Sequence, residues 1–216
     1  MTVRGLAENI ASNLGRPHDK IFITRMEANI LDIRARLIHQ YGVQRNVIYP
    51  ITLQDLDNLE LEEAEDLLCE TDVDIKVMRT VERLPNPIRV KAKGSSFVYV
   101  GANDRSSSFT YAKPQDVPEL VKNRFTATLP YYTYLNKHIY VFNSKANSIN
   151  VRAAFADPTE LRRLKDCSGN YCFTGDFELE QDMSDVIERM IYEKIKTPVE
   201  PSREEITIDD NDKANT

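Results

Sequence analysis

Two apolar runs, Tyr132-Thr133-Tyr134-Leu135 and Ile139-Tyr140-Val141-Phe142, face each other across the dipeptide Asn136-Lys137. A connection that short joins only antiparallel neighbours, and Asn tolerates the positive φ that such a loop demands. The hairpin has company. Val73, Ile75 and Val77 share one parity, Val81 follows past a break, and the turn Leu84-Pro85-Asn86-Pro87 ends that strand. Residues 88–91 alternate apolar and basic, 97–100 run into the turn cluster 101–104, and 108–111 follow. After a short helical insert opened by Pro114 and Asp116 and carrying Val117, Leu120 and Val121, further strands are expected at 125–129 and 149–153. Short strands at hairpin spacing predict an antiparallel sheet or small sandwich over 73–156.

The flanks read as helices, which makes the fold class α+β. A short helix, a turn at Gly15-Arg16-Pro17 and a long helix form an N-terminal arm. Thr24 with Glu27 has capping-box spacing, Met26, Ile30, Ile33, Leu37, Ile38 and Tyr41 form an apolar stripe, and Gly42 is the expected stop. The acid-rich stretch 54–70 is read as an acidic helix or extended arm, which places the arm and its acidic segment in 1–72. Beyond the sheet, Asp157-Pro158 starts a short helix, and Met183, Val186, Ile187, Met190, Ile191 and Ile195 mark a second between Leu179 and Lys196. Its acids lie early and its lysines late, which complements the helix dipole. These C-terminal helices, 157–197, are expected to pack with the arm. An acidic tail, 198–216, has little to bury and is expected to be flexible until a partner orders it.

Charge follows the same division. Residues 86–165 hold 13 Lys and Arg against 5 acids, so a basic block of +8 lies inside a chain whose net charge is -6. The block also contains 11 of the 18 aromatic residues. Opposite fields on one chain favour head-to-tail contact with further copies, or binding of a polyanion. The second possibility makes a nucleic-acid-binding module of the basic aromatic sheet, in which tyrosines stack bases between cations. The simpler alternative puts the tyrosines in the core and the cations in water.

No enzyme signature stands out. Gly94 lies in Lys93-Gly94-Ser95-Ser96, which lacks the glycine spacing of a phosphate loop. His138 opens a strand, and pairs such as Glu62-Glu63 fall where the chain reads as solvated. The odd set Cys69, Cys167 and Cys172 argues for free thiols, and His18, His39 and His138 show no zinc-ligand spacing with them. No cofactor, metal or catalytic residue is expected. No run of apolar residues is long enough to span a bilayer, so no membrane partner is expected, and the N-terminus lacks a signal-peptide pattern.

The sequence Asp182-Met183-Ser184-Asp185-Val186-Ile187-Glu188-Arg189-Met190-Ile191-Tyr192-Glu193-Lys194-Ile195, preceded by Tyr171-Cys172-Phe173-Thr174-Gly175-Asp176-Phe177 and by Ala154-Phe155-Ala156-Asp157-Pro158, carries a resemblance. With the order arm, sheet, helix, it resembles the ring and head-to-tail connector (adaptor, tail-tubular) proteins of short-tailed bacteriophages, the crAss-like group in particular. The resemblance implies a non-enzymatic virion protein, assembled in the host cytoplasm, that forms a cyclic homo-oligomer. Such a ring would sit beside the portal and other tail or ring proteins, and DNA would pass through its lumen at genome ejection without sequence-specific contact. On that expectation Met183, Val186, Met190 and Ile191 are candidate subunit contacts, and Arg89, Lys91 and Lys93 candidate partner-facing cations.

Overall fold

In the computed structural model the described residues are 1–64, 76–91, 94–123, 125–126, 128–165, 168–171 and 177–196. The N-terminal arm is α1 (Val3–Asn13) and α2 (Lys20–Arg45). Thr2 caps α1 by accepting the Gly5 N–H at 3.1 Å. The long helix starts one turn earlier than the Thr24 capping box predicts, because Asp19 accepts the Phe22 N–H at 2.9 Å and so takes the cap. Nor does Gly42 end it. The helix runs on to Arg45 and stops where Asn46 turns left-handed at φ 53°, with the Val47 N–H returned to the Tyr41 carbonyl.

Seven strands follow: β1 (Gln54–Glu63), β2 (Val77–Thr80), β3 (Phe97–Ala102), β4 (Thr110–Tyr111), β5 (Tyr131–Leu135), β6 (His138–Phe142) and β7 (Ser148–Ala153). They form one sheet in the order β3-β7-β1-β2-β6-β5-β4, antiparallel except for the β4–β5 pair. The sheet curls until its edges meet. Phe109 donates to the Val100 carbonyl and Ala102 to that of Ser107, so the segment entering β4 also pairs with β3. The result is close to a closed barrel rather than a two-sheet sandwich, and closure consumes edges that would otherwise pair with other chains. Asn136 and Lys137 both have positive φ, 51° and 68°, as a two-residue hairpin loop requires.

The acid-rich 54–63 segment is strand β1, inside the sheet between β7 and β2, and not a helix or a free arm. A β-bulge explains the misreading. Between the pairs Leu56–Val151 and Leu59–Ile149 one extra residue is accommodated, with Asn58 left-handed at φ 57° and its N–H held by Asn150 Oδ1 at 2.9 Å. The bulge sets two inward leucines three apart, which imitates a helical spacing. Two expected strands are also absent. Residues 88–91 bury Ile88 and Val90 and expose Arg89 and Lys91, but only Pro87 makes a bridge, to Phe155. At 125–126 and 128–129 the chain turns, because Asn123 Oδ1 accepts the Phe125 N–H and Thr126 Oγ1 donates to the Leu120 carbonyl.

One continuous core joins sheet and helices. Leu56, Leu61, Met78, Ile139, Val141 and Ile149 line the sheet interior, and Ile10, Ile30, Met183 and Ile187 reach the same cluster from the helices. A smaller cluster on the outer face, including Tyr131, Tyr140 and Phe142, is covered by α3 (Val117–Lys122). After β7 a 3-10 turn, Pro158–Arg163, starts with Asp157 accepting the Thr159 N–H, and α4 (Gln181–Lys196) then packs on α1 and α2. The stretches 198–216 and 73–75 and all three cysteines lie outside the described residues.

Arg34 sits in the middle of the α2 stripe at 0% exposure. Its guanidinium donates to the Phe155 carbonyl at 3.1 Å and the Thr52 carbonyl at 3.2 Å, the exits of β7 and the entry to β1. Burial lowers its pKa from the ordinary arginine value to about 10, so it remains charged at neutral pH. Tyr132 and Tyr134 move the opposite way, each pushed up to about 12 chiefly by burial. Between pH 10 and 12 the unfolded chain gives up these tyrosine protons while the folded chain keeps them, so stability falls as pH rises. Arg34 opposes this, because there the unfolded chain holds the proton that the folded chain releases. With two tyrosines against one arginine, the melting temperature should fall through this window, and more steeply in Arg34→Met. A flat profile between pH 10 and 12 in thermal melts would contradict the burial of these rings.

Candidate assembly surfaces

Four of the five acids of β1 find partners on the chain itself. Arg79 bonds Glu62 at 2.7 Å, Lys76 approaches Glu63 at 3.5 Å, and Arg105 reaches Asp57 at 3.1 Å. Arg152 lies 3.6 Å from Asp55. Much of the charge separation seen along the sequence is therefore spent within the barrel, where exposed pairs contribute about 0–1 kcal/mol each. Much of the aromatic block is likewise consumed. Phe97, Tyr131, Tyr132, Tyr140 and Phe142 are buried, and Phe97 packs edge-on to Tyr134 at 5.3 Å. These rings fill the core, so the stacking platform that a nucleic-acid module needs is not built from them.

A groove between α2 and α4 is the clearest feature of the helical side. Leu37, Tyr41, Val186 and Met190 supply its apolar surface, and Gln40, Arg45, Arg189 and Glu193 its polar rim. Arg45 lies over the Tyr41 ring, 5.0 Å from its centroid. The four helix residues expected as subunit contacts therefore divide. Met183 and Ile191 are 0% and 2% exposed, in the core of their own chain, whereas Met190 is 37% exposed in the groove and Val186 is half-buried beside it. Alanine at Ile191 would thus report on stability, and alanine at Met190 on assembly.

Arg89 and Lys91 are both exposed on the segment that passes α2, and Lys93 lies outside the described residues. That segment is fixed in place: His39 Nδ1 lies 3.0 Å from the Arg89 carbonyl, and the Val90 backbone packs on Gly42. Arg89 lines a shallow depression with Gly94, Ser96, Tyr111, Lys113 and Asp116. Phe125, expected in a strand, is instead 85% exposed on a loop. Asn123, a turn-former two positions earlier, is the available signal.

Among the described residues no three His, Cys, Asp or Glu side chains converge to hold a metal ion, and no helix is long and apolar enough to cross a membrane. His138 is tied to the sheet by Nδ1, 2.7 Å from the Thr80 carbonyl. The described residues form a helix-sheathed barrel whose groove and exposed loop offer surfaces for contact. The chain belongs to the crAss-like phage tail ring family described as phage tail ring protein 2, whose model matches residues 6–213. It is accordingly a structural component of a phage virion. A comparison with curated proteins returned no match.

Proposed function

We propose that this chain forms a closed cyclic homo-oligomer in the head-to-tail connector, next to the portal and other ring or tail proteins, with DNA passing through its lumen without sequence-specific contact. The observation that carries the reading is the family match across nearly the whole chain. Support comes from the unlike character of its exposed faces, since a ring needs two different, mutually complementary surfaces on every subunit. Val186 and Met190 serve the contact between subunits on the helical side. Arg89, Lys91 and Lys93 face a neighbouring virion component, and the acidic tail beyond Thr197 reaches a neighbour that orders it. Four units follow, with arm, barrel and C-terminal helices making the subunit and the tail making a tether. The test is mass by light scattering on the full chain, alone and with portal and tail proteins. A discrete oligomer whose mass is an integral multiple of 24.8 kDa is expected. A monomer under every condition would overturn the ring.

A further inference from the structure

We infer that the Phe125 loop of one subunit seats in the α2–α4 groove of the next, an assignment that rests on the ring reading. Phe125, at 85%, is the most exposed large apolar side chain among the described residues, and Leu129, four residues on, is 49% exposed. An aromatic ring left in water on a floppy loop would collapse onto the nearest apolar surface. This loop is held open. The Phe125 N–H donates to Asn123 Oδ1 at 3.0 Å, Thr126 Oγ1 donates to the Leu120 carbonyl at 2.6 Å, and Asn143 Nδ2 donates to the Leu129 carbonyl at 3.3 Å. A preorganised, protruding aromatic is what a subunit contact uses as an anchor, because little ordering entropy remains to be lost on docking.

The groove has the complementary character. Its surface is Leu37, Tyr41, Val186 and Met190, and Met190 offers a flexible thioether that adapts to, and favours, an aromatic partner. Charge agrees with shape. In sequence Phe125 follows Lys122 and Arg124, while around the groove Asp185, Glu188 and Glu193 stand against Arg45 and Arg189. A protruding ring with basic neighbours in sequence thus matches an apolar slot whose border carries one more acid than it does arginines. The loop follows α3 on the outer sheet face, and the groove lies in the helical layer. The contact joins unlike surfaces, so each subunit both inserts and receives, which is the arrangement that propagates and closes a ring.

The test uses two full-length variants, Phe125→Ala, which lacks the knob, and Met190→Arg, which blocks the slot. Both positions are solvent-exposed, so thermal melts should match the native chain. Under conditions where the native chain forms rings, each variant alone should run as a monomer of 24.8 kDa. Mixed in equal amounts, they should form a dimer that goes no further, since one intact knob and one intact slot remain. Rings from either variant alone, or a mixture that stays monomeric when both variants are, would overturn the pairing while leaving the ring itself standing. A native chain that never oligomerises would remove the ring reading, and this contact with it.

Discussion

Arg34→Ala should cost the fold about 3–5 kcal/mol, a large share of the roughly 5–15 kcal/mol that holds a domain together. The side chain crosses from the middle of α2 to two carbonyls just outside different strands, Phe155 after β7 and Thr52 before β1. Alanine removes both bonds and leaves a cavity in a fully buried site. The Thr52 carbonyl retains the Gln54 amide at 2.9 Å, so Phe155 is the acceptor that loses most. Arg34→Met separates the causes. It keeps the volume and discards a desolvated charge whose Nε has no hydrogen-bond partner, so it should cost less than half as much as alanine. At roughly 2–4 °C per kcal/mol for a chain of this size, alanine should lower the melting temperature by about 10 °C. Equal melting temperatures for the two variants would show that Arg34 fills space without tying helix to barrel.

Arg34 also marks a limit of reading the stripe from sequence. Its position among Ile30, Ile33, Leu37 and Ile38 places it on the apolar face, yet a charged residue there reads as the wet side until two backbone carbonyls are seen to converge on it. Those carbonyls come from residues 18 and 121 positions away, and no local pattern encodes that. Features that depend only on neighbours in sequence were legible: the Asn136-Lys137 hairpin, the α3 insert, the Asp157 cap and the helix from Gln181 to Lys196. What failed did so where a long-range contact or an inserted residue overrode the local signal. The β1 bulge broke its period of two, whereas the cap of α2 went to a second local signal, Asp19, which accepts the Phe22 N–H three residues on.

The candidate surfaces follow the same rule. Helical spacing identifies the apolar positions of α4, but it does not say which of them face the chain's own core. Met183, Ile187 and Ile191 lie one turn apart in a row and point inward, and Met190, one residue from Ile191, points into the groove. The charge of β1 was equally visible and equally ambiguous. Its acids could serve a partner only if the barrel left them unpaired, and Arg79, Lys76, Arg105 and Arg152 reach four of the five first. Partner-facing charge is therefore sought on Arg89 and Lys91, which sit on an ordered segment outside the β1 pairs.

Gly42→Leu should undock that segment. Glycine within a helix ordinarily costs about 1 kcal/mol against alanine, so a side chain at an open position would stabilise α2. Here an added Cβ would lie 2.5 Å from the Val90 carbonyl oxygen and 2.8 Å from its Cα, which are backbone atoms that no rotamer change moves aside. The segment cannot shift freely either, because the Ile88 N–H is held by the Ala154 carbonyl at 2.7 Å and the Arg89 carbonyl lies 3.0 Å from His39 Nδ1. Overpacking against a fixed backbone costs about 1–3 kcal/mol, so after the propensity gain Gly42→Ala should show a net loss of up to about 2 kcal/mol and leucine a larger one. The larger side chain resolves the clash by lifting residues 88–91 off α2, which exposes Ile88 and Val90 and displaces Arg89 and Lys91 together. Limited proteolysis should then cut near residue 90 in Gly42→Leu at temperatures where the native chain resists, and association with virion partners should weaken before the helices melt. If Gly42→Ala instead raises the melting temperature, the close approach of α2 to Val90 is wrong, and the position of both cations with it.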